Sequence, residues 1–200
     1  MSDKGYPILG LRIAGLCGVL SPIVGLSSIS LAITNSPWFN WRINALSDLG
    51  ISNVALIFNS GLILAGLLSI IFVTGFMRII RKHPLELIGT SLFLLGNISL
   101  VAIGIFPISA GVIHSYVSVA FFALGPIAFF FIGGGLIRRK PERYLGFFTF
   151  LIAVITLLFW LFWFRGRYPH LGIAIPEFQS SLAFSLWSIV FGARLFFARI

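Results

Sequence analysis

An all-α bundle of six transmembrane helices is the fold class the sequence predicts, and three observations predict it. Of the 200 residues, 58% are hydrophobic and only 10% charged, with a mean hydropathy of +1.06; a soluble domain carries about 25% charged residues. Six apolar stretches cover residues 8–33, 54–77, 87–106, 114–137, 145–164 and 178–197, each near the roughly 20 residues that a spanning helix needs. Most of the basic residues fall in the short connections between these stretches. Residues 1–200 are therefore read as a single transmembrane domain of a multi-pass protein of the cell membrane.

Each element follows from its own punctuation. The first stretch is too long for the apolar core of a signal peptide and lacks a small-residue cleavage site, so it is expected to remain as a span. Within it Gly10, Ala14 and Gly18 recur every four residues, a small-residue seam for a close helix neighbour. Asn35-Ser36-Pro37 ends this span, and the polar run Asn44–Gly50 (NALSDLG) leads into the second. Arg81-Lys82-His83-Pro84 separates the second and third spans, Pro107 ends the third, and Arg138-Arg139-Lys140-Pro141 ends the fourth. Gly133-Gly134-Gly135 lies at the end of the fourth span. No Lys-Ser/Thr follows it, so it reads as helix packing and not as a phosphate loop. Tyr168-Pro169-His170 and Pro176 bracket the last connection.

The net charge of +9 would suggest nucleic acid in a soluble protein. Here it sets orientation and meets anionic lipid head groups, so membrane lipids are the expected partners and nucleic acid is not. If the N-terminus is cytoplasmic, only Arg42, Arg165 and Arg167 of the 14 basic residues lie outside. That asymmetry predicts both termini in the cytoplasm. Trp38, Trp41, Trp160, Trp163 and Tyr168 gather at the outer boundary, as interfacial aromatic residues do. Cys17 is the single cysteine, so no intrachain disulfide forms.

In this topology each outer connection brings an ionisable side chain to the N-terminal end of an even-numbered helix. Asp48 precedes the second span, His114 opens the fourth and Glu177 opens the sixth, with His170 in the last connection. A helix-cap reading accounts for Ser47, Asp48 and Glu177 individually. Their convergence with Asn44 in one outward mouth would instead make a site, with Asp48, His114 and Glu177 as acid–base groups and Asn44, Ser47, Asn59 and His170 supporting them. Glu177, Ser181, Ser185 and Ser188 share a stripe of the sixth span that should turn away from lipid. Asn97, near the middle of the third span, should likewise face protein or water. By type, Asp48, His114 and Glu177 also make an acceptable ligand set for a divalent metal, although their spacing matches none of the compact metal motifs.

NALSDLG followed by IFNSGLILAG, then GIFPISAGVIHSYVSVAFF and finally AIPEF resembles the domain-of-unknown-function family numbered 998, small six-span membrane proteins of archaea and bacteria. The resemblance runs from Asn44 to about Trp187 and implies family positions at Ser47, Asp48, Gly50, Asn59, Pro107, His114 and Glu177. At Phe178 the sequence departs from the basic residue that follows the glutamate in many relatives. The Ser-Asp-x-Gly run and the later His are similar, more distantly, to Frag/DRAM/Sfk-type membrane proteins, some of them associated with lipid remodelling.

Three function classes fit these residues. One is an outer-leaflet enzyme acting on lipid or a lipid-linked substrate. Another is a non-catalytic subunit, assembly factor or sensor, in a homo-oligomer or a larger membrane complex. The third, a transporter, lacks an ionisable residue near the bilayer midplane and broken-helix signals in matched halves.

Overall fold

The computed structural model describes residues 8–80, 83–166 and 172–197. The described residues form six long helices: α1 (Ile8–Thr34), α2 (Ala55–Ile80), α3 (Pro84–Ile105), α4 (Val112–Ile137), α5 (Arg143–Phe164) and α6 (Ala174–Phe196). Three short 3-10 turns lie between them at Leu46–Ile51, Ile108–Ala110 and Lys140–Glu142. No strand occurs among the described residues, and the chain is an all-α bundle as its composition requires.

Helices α1 to α5 are each long and apolar enough to cross a bilayer. Helix α6 has 23 residues, or about 34 Å at 1.5 Å per residue, but serines and Glu177 lower its hydropathy. Its polar side chains are turned inward: Glu177, Ser180 and Ser188 are all buried. Helices α3 to α6 begin somewhat earlier than the apolar runs suggest, for local reasons. His83 caps α3 by accepting the Leu85 N–H at Nδ1 (3.3 Å) and Pro84 occupies the first position. Pro176 falls within the first turn of α6, where its missing N–H removes no helix bond.

Consecutive helices pack side by side and α6 returns against α1, closing the ring; contact is sparsest between α5 and α6. Residues 35–54, 106–111, 165–166 and 172–173 lie at one end of the bundle, called the upper end below, and residues 83 and 138–142 lie at the lower end. The core is aromatic. Trp187, fully buried, stacks on Phe129 (centroids 4.7 Å) and Phe191 (4.5 Å) and meets Phe93 edge-on at 5.0 Å. Its indole N–H donates to Thr149 Oγ1 at 3.1 Å, satisfying the one polar atom of the cluster's central residue and tying α6 to α5.

Small residues set the closest helix approaches, and Ala14 and Gly18 of the expected seam take part while Gly10 does not. A Cβ at Gly10 would have no neighbour within 4 Å, whereas Gly15 and Gly18 face Gly192 of α6, and Ala14 faces Gly75 of α2. Two partners contact α1 on adjacent sides, so the seam is wider than a four-residue repeat suggests. Gly133 approaches Gly146 of α5, and Gly135 leaves room for the Glu86 side chain. Glu86 is fully buried, with Oε2 3.0 Å from Arg139 Nη2. Nearby, Arg194 Nη2 donates to Glu142 Oε1 at 2.6 Å. These two ion pairs tie α3 and α6 to the α4–α5 connection at the lower end.

Candidate functional site

The upper end is organised around Asn44–Gly50. Its backbone leaves helical geometry at Ala45, and the turn Leu46–Ile51 that follows presents free N–H groups at its start. Two acids take them. Asp48 Oδ2 reaches back to the Ala45 N–H (3.0 Å) and also accepts from Asn44 Nδ2 (3.0 Å). Glu177 Oε2 accepts the next amide, Leu46 N–H, at 2.7 Å. Asp48 and Glu177, from opposite ends of the sequence, therefore hold adjacent amides of one turn.

Further bonds clasp the same segment. Ala174 N–H donates to the Asn44 carbonyl at 3.3 Å and Gly172 N–H to the Trp41 carbonyl at 3.1 Å. From α2, Asn59 Nδ2 donates to the Gly50 carbonyl at 2.8 Å. A Cβ on Gly50 would lie 2.7 Å from Asn59 Oδ1, so only glycine lets the amide come this close. Asn44, Asp48, Gly50, Asn59 and Glu177 thus belong to one hydrogen-bonded assembly.

His114 is buried, and its ring is engaged elsewhere. Nδ1 lies 2.8 Å from the Phe106 carbonyl and Nε2 lies 3.2 Å from Ser118 Oγ. A carbonyl only accepts, so Nδ1 carries the proton; in the neutral ring Nε2 then accepts from the Ser118 hydroxyl. His114 bonds neither Asp48 nor Glu177. Of the three only Glu177 lines the cavity of about 40 Å³ at this end, together with Leu46, Ser47, Ser118 and Ser181. That volume is enough for a few water-sized groups.

Among the described residues, no group of three or more His, Cys, Asp and Glu side chains is arranged to hold a metal ion. The Asp48, His114 and Glu177 ligand set is not assembled among them. His170 lies outside the described residues. Sequence reasoning missed Ser180, which is fully buried, donates to the Pro176 carbonyl at 2.7 Å and accepts the Trp160 indole N–H at 3.0 Å. It also passed over Glu86, although an acid beside a long apolar run is itself a signal.

The clasp makes a direct expectation. Asn and Asp cap helical turns almost equally well, so Asp48→Asn should shift thermal stability in detergent very little. Asp48→Leu leaves the Ala45 amide without its partner and should cost about 1 kcal/mol.

Long apolar helices around a polar, partly buried upper end define an integral membrane protein of the polytopic helical-bundle class. Residues 19–194 match the family described as a protein of unknown function, DUF998, and the chain belongs to that family. The match supports the resemblance carried by NALSDLG, GIFPISAGVIHSYVSVAFF and AIPEF; the Frag/DRAM/Sfk likeness gains no support from it. No curated protein and no solved structure matches the chain.

Proposed function

We propose that the chain spans the cell membrane six times with both termini in the cytoplasm, and that its upper end, facing outward, receives the polar end of a lipid or lipid-linked molecule. The observation that carries this reading is the shared lining of one cavity by Ser47, Ser118 and Glu177. Polar groups converging on a cavity inside an apolar bundle are the usual mark of a binding site. The orientation rests on the distribution of basic residues.

In this reading Glu177 is the acid–base group. Its Oε2 is bonded to the turn that meets the cavity, so admitting a head group and freeing the acid are one event. Ser118 is oriented by His114, with its proton toward Nε2 and its oxygen free to accept from a ligand. Asp48 and Asn59 act through the turn and position it.

A second reading, a non-catalytic subunit, assembly factor or sensor, is favoured by a different observation. Asp48, Glu177 and His114 each bond to groups of the chain itself. Mass spectrometry of lipids co-extracted with the purified protein separates the two. The amphiphile reading expects one enriched species, diminished in Glu177→Gln and Ser118→Leu proteins that remain monodisperse. An identical lipid complement in all three proteins would sink it and leave the structural reading.

A further inference from the structure

A second cavity, of about 60 Å³, adjoins the first toward the bundle centre; Ile29, Leu62, Leu100, Phe121 and Ser181 line both. Its polar lining is Ser21, Ser69, Asn97, Ser181, Ser185 and Ser188, drawn from α1, α2, α3 and α6, and no charged side chain lines it. Two of these hydroxyls are committed to the protein: Ser21 Oγ donates to the Ala65 carbonyl at 2.8 Å and Ser181 Oγ to the Glu177 carbonyl at 2.9 Å. Asn97 Nδ2 donates to the Phe93 carbonyl at 2.8 Å, which leaves Oδ1 as an acceptor. The hydroxyls of Ser69 and Ser188, on residues only 3% and 4% exposed, make no side-chain hydrogen bond to the described residues.

Buried hydroxyls in an apolar bundle normally find a partner. Here the available groups are both donors and acceptors, and they surround a space of a few heavy atoms. Phe93 and Phe184 also line the cavity and belong to the ring cluster around Trp187, so its inner side ends in packed aromatic rings.

Resting on the reading that an amphiphile's polar end is received at the upper end, we propose that the deeper cavity binds an uncharged, hydroxyl-bearing head group of the monoacylglycerol or long-chain-alcohol kind. An ionised head would meet no countercharge there and would lose its hydration. A hydroxyl donates and accepts, matching Ser69, Ser188 and Asn97 Oδ1. The apolar remainder of the lining, with Leu26, Leu62 and Leu100, suits the adjoining hydrocarbon.

The test uses the full chain in phosphatidylcholine nanodiscs titrated with 1-monooleoylglycerol, with binding read by native mass spectrometry. Saturable binding is expected, weakened about fivefold to tenfold by Ser188→Val and by Asn97→Leu, the size of one or two lost hydrogen bonds. Ser69→Ala, a milder change, should weaken it in the same direction if either larger variant fails to fold. Phosphatidylglycerol should not compete. Binding unaffected by all three substitutions, or equal competition by phosphatidylglycerol, overturns the proposal. If lipid co-extraction depends on Glu177 while monooleoylglycerol binding ignores Ser69, Ser188 and Asn97, the upper-end reading stands and this inference falls. If no lipid responds to any of these changes, both fall.

Discussion

Arg139→Met is expected to be among the most damaging single changes at the lower end, destabilising the fold by about 3 kcal/mol or more. The reason is the carboxylate it leaves behind. Glu86 is fully buried and Arg139 is the cation paired with it at 3.0 Å, while neither Glu86 oxygen has a hydrogen bond among the described residues. Removing one member of a buried pair leaves an uncompensated charge and typically costs about 3–5 kcal/mol; with the Arg139 side chain 29% exposed, this pair falls at the low end of that range. Replacing both members with apolar residues of similar volume is often neutral. The double variant Glu86→Met with Arg139→Met should therefore recover most of the loss. Unfolding midpoints in a denaturing-detergent titration measure both; a double variant as unstable as the single one would show that the pair contributes more than mutual neutralisation.

Gly15→Val and Gly192→Val should each disrupt the α1–α6 contact. A Cβ on Gly192 would lie 2.8 Å from the Gly15 carbonyl oxygen and 2.9 Å from the Gly18 carbonyl carbon, and one on Gly15 would lie 2.7 Å from the Gly192 carbonyl oxygen. These neighbours are backbone, which cannot swing aside as a side chain does, so the helices must separate. Overpacking of this kind costs about 1–3 kcal/mol or more, and a valine adds two methyl groups beyond the Cβ. Gly10→Ala and Gly96→Ala provide the contrast. Gly10 has open space at this position and Gly96 meets only Leu124 Cβ at 3.7 Å, so alanine should be neutral or stabilise by up to about 1 kcal/mol through helix propensity. Thermal melting followed by size-exclusion chromatography distinguishes the groups, and equal behaviour of Gly10→Ala and Gly192→Val would contradict the packing argument.

Much of the fold was legible because a bilayer imposes a length and a composition on each helix. Runs such as 54–77 and 114–137 could hardly be anything else, and Pro107 and Asn35-Ser36-Pro37 ended helices where backbone chemistry requires. Partners across the bundle were not legible. Gly10, Ala14 and Gly18 form a regular pattern, but a pattern on one helix does not say which side meets α2 and which meets α6; Gly15 emerged only once both partners were placed. The upper end divides in the same way. Asp48 as a cap, and Glu177 as an inward-facing acid, follow from local rules of helical starts and burial. That Glu177 holds Leu46, 131 positions away, depends on the whole ring of helices closing. The burial of Glu86 was not legible either, because it depends on the space that Gly135 leaves on a neighbouring helix.

Helix α6 is fastened near both ends: Glu177 holds the Leu46 amide at the upper end, and Arg194 holds Glu142 at the lower. The two attachment points are 17 residues apart, about 26 Å along a rigid helix. Releasing the upper fastening alone leaves the rod anchored below, with Gly192 wedged between Gly15 and Gly18 close to that anchor. Such a rod can tilt about its lower end, but it cannot slide along its axis like a piston. A small opening at the top, which must also break the Ala174–Asn44 backbone bond, leaves the lower ion pair in place.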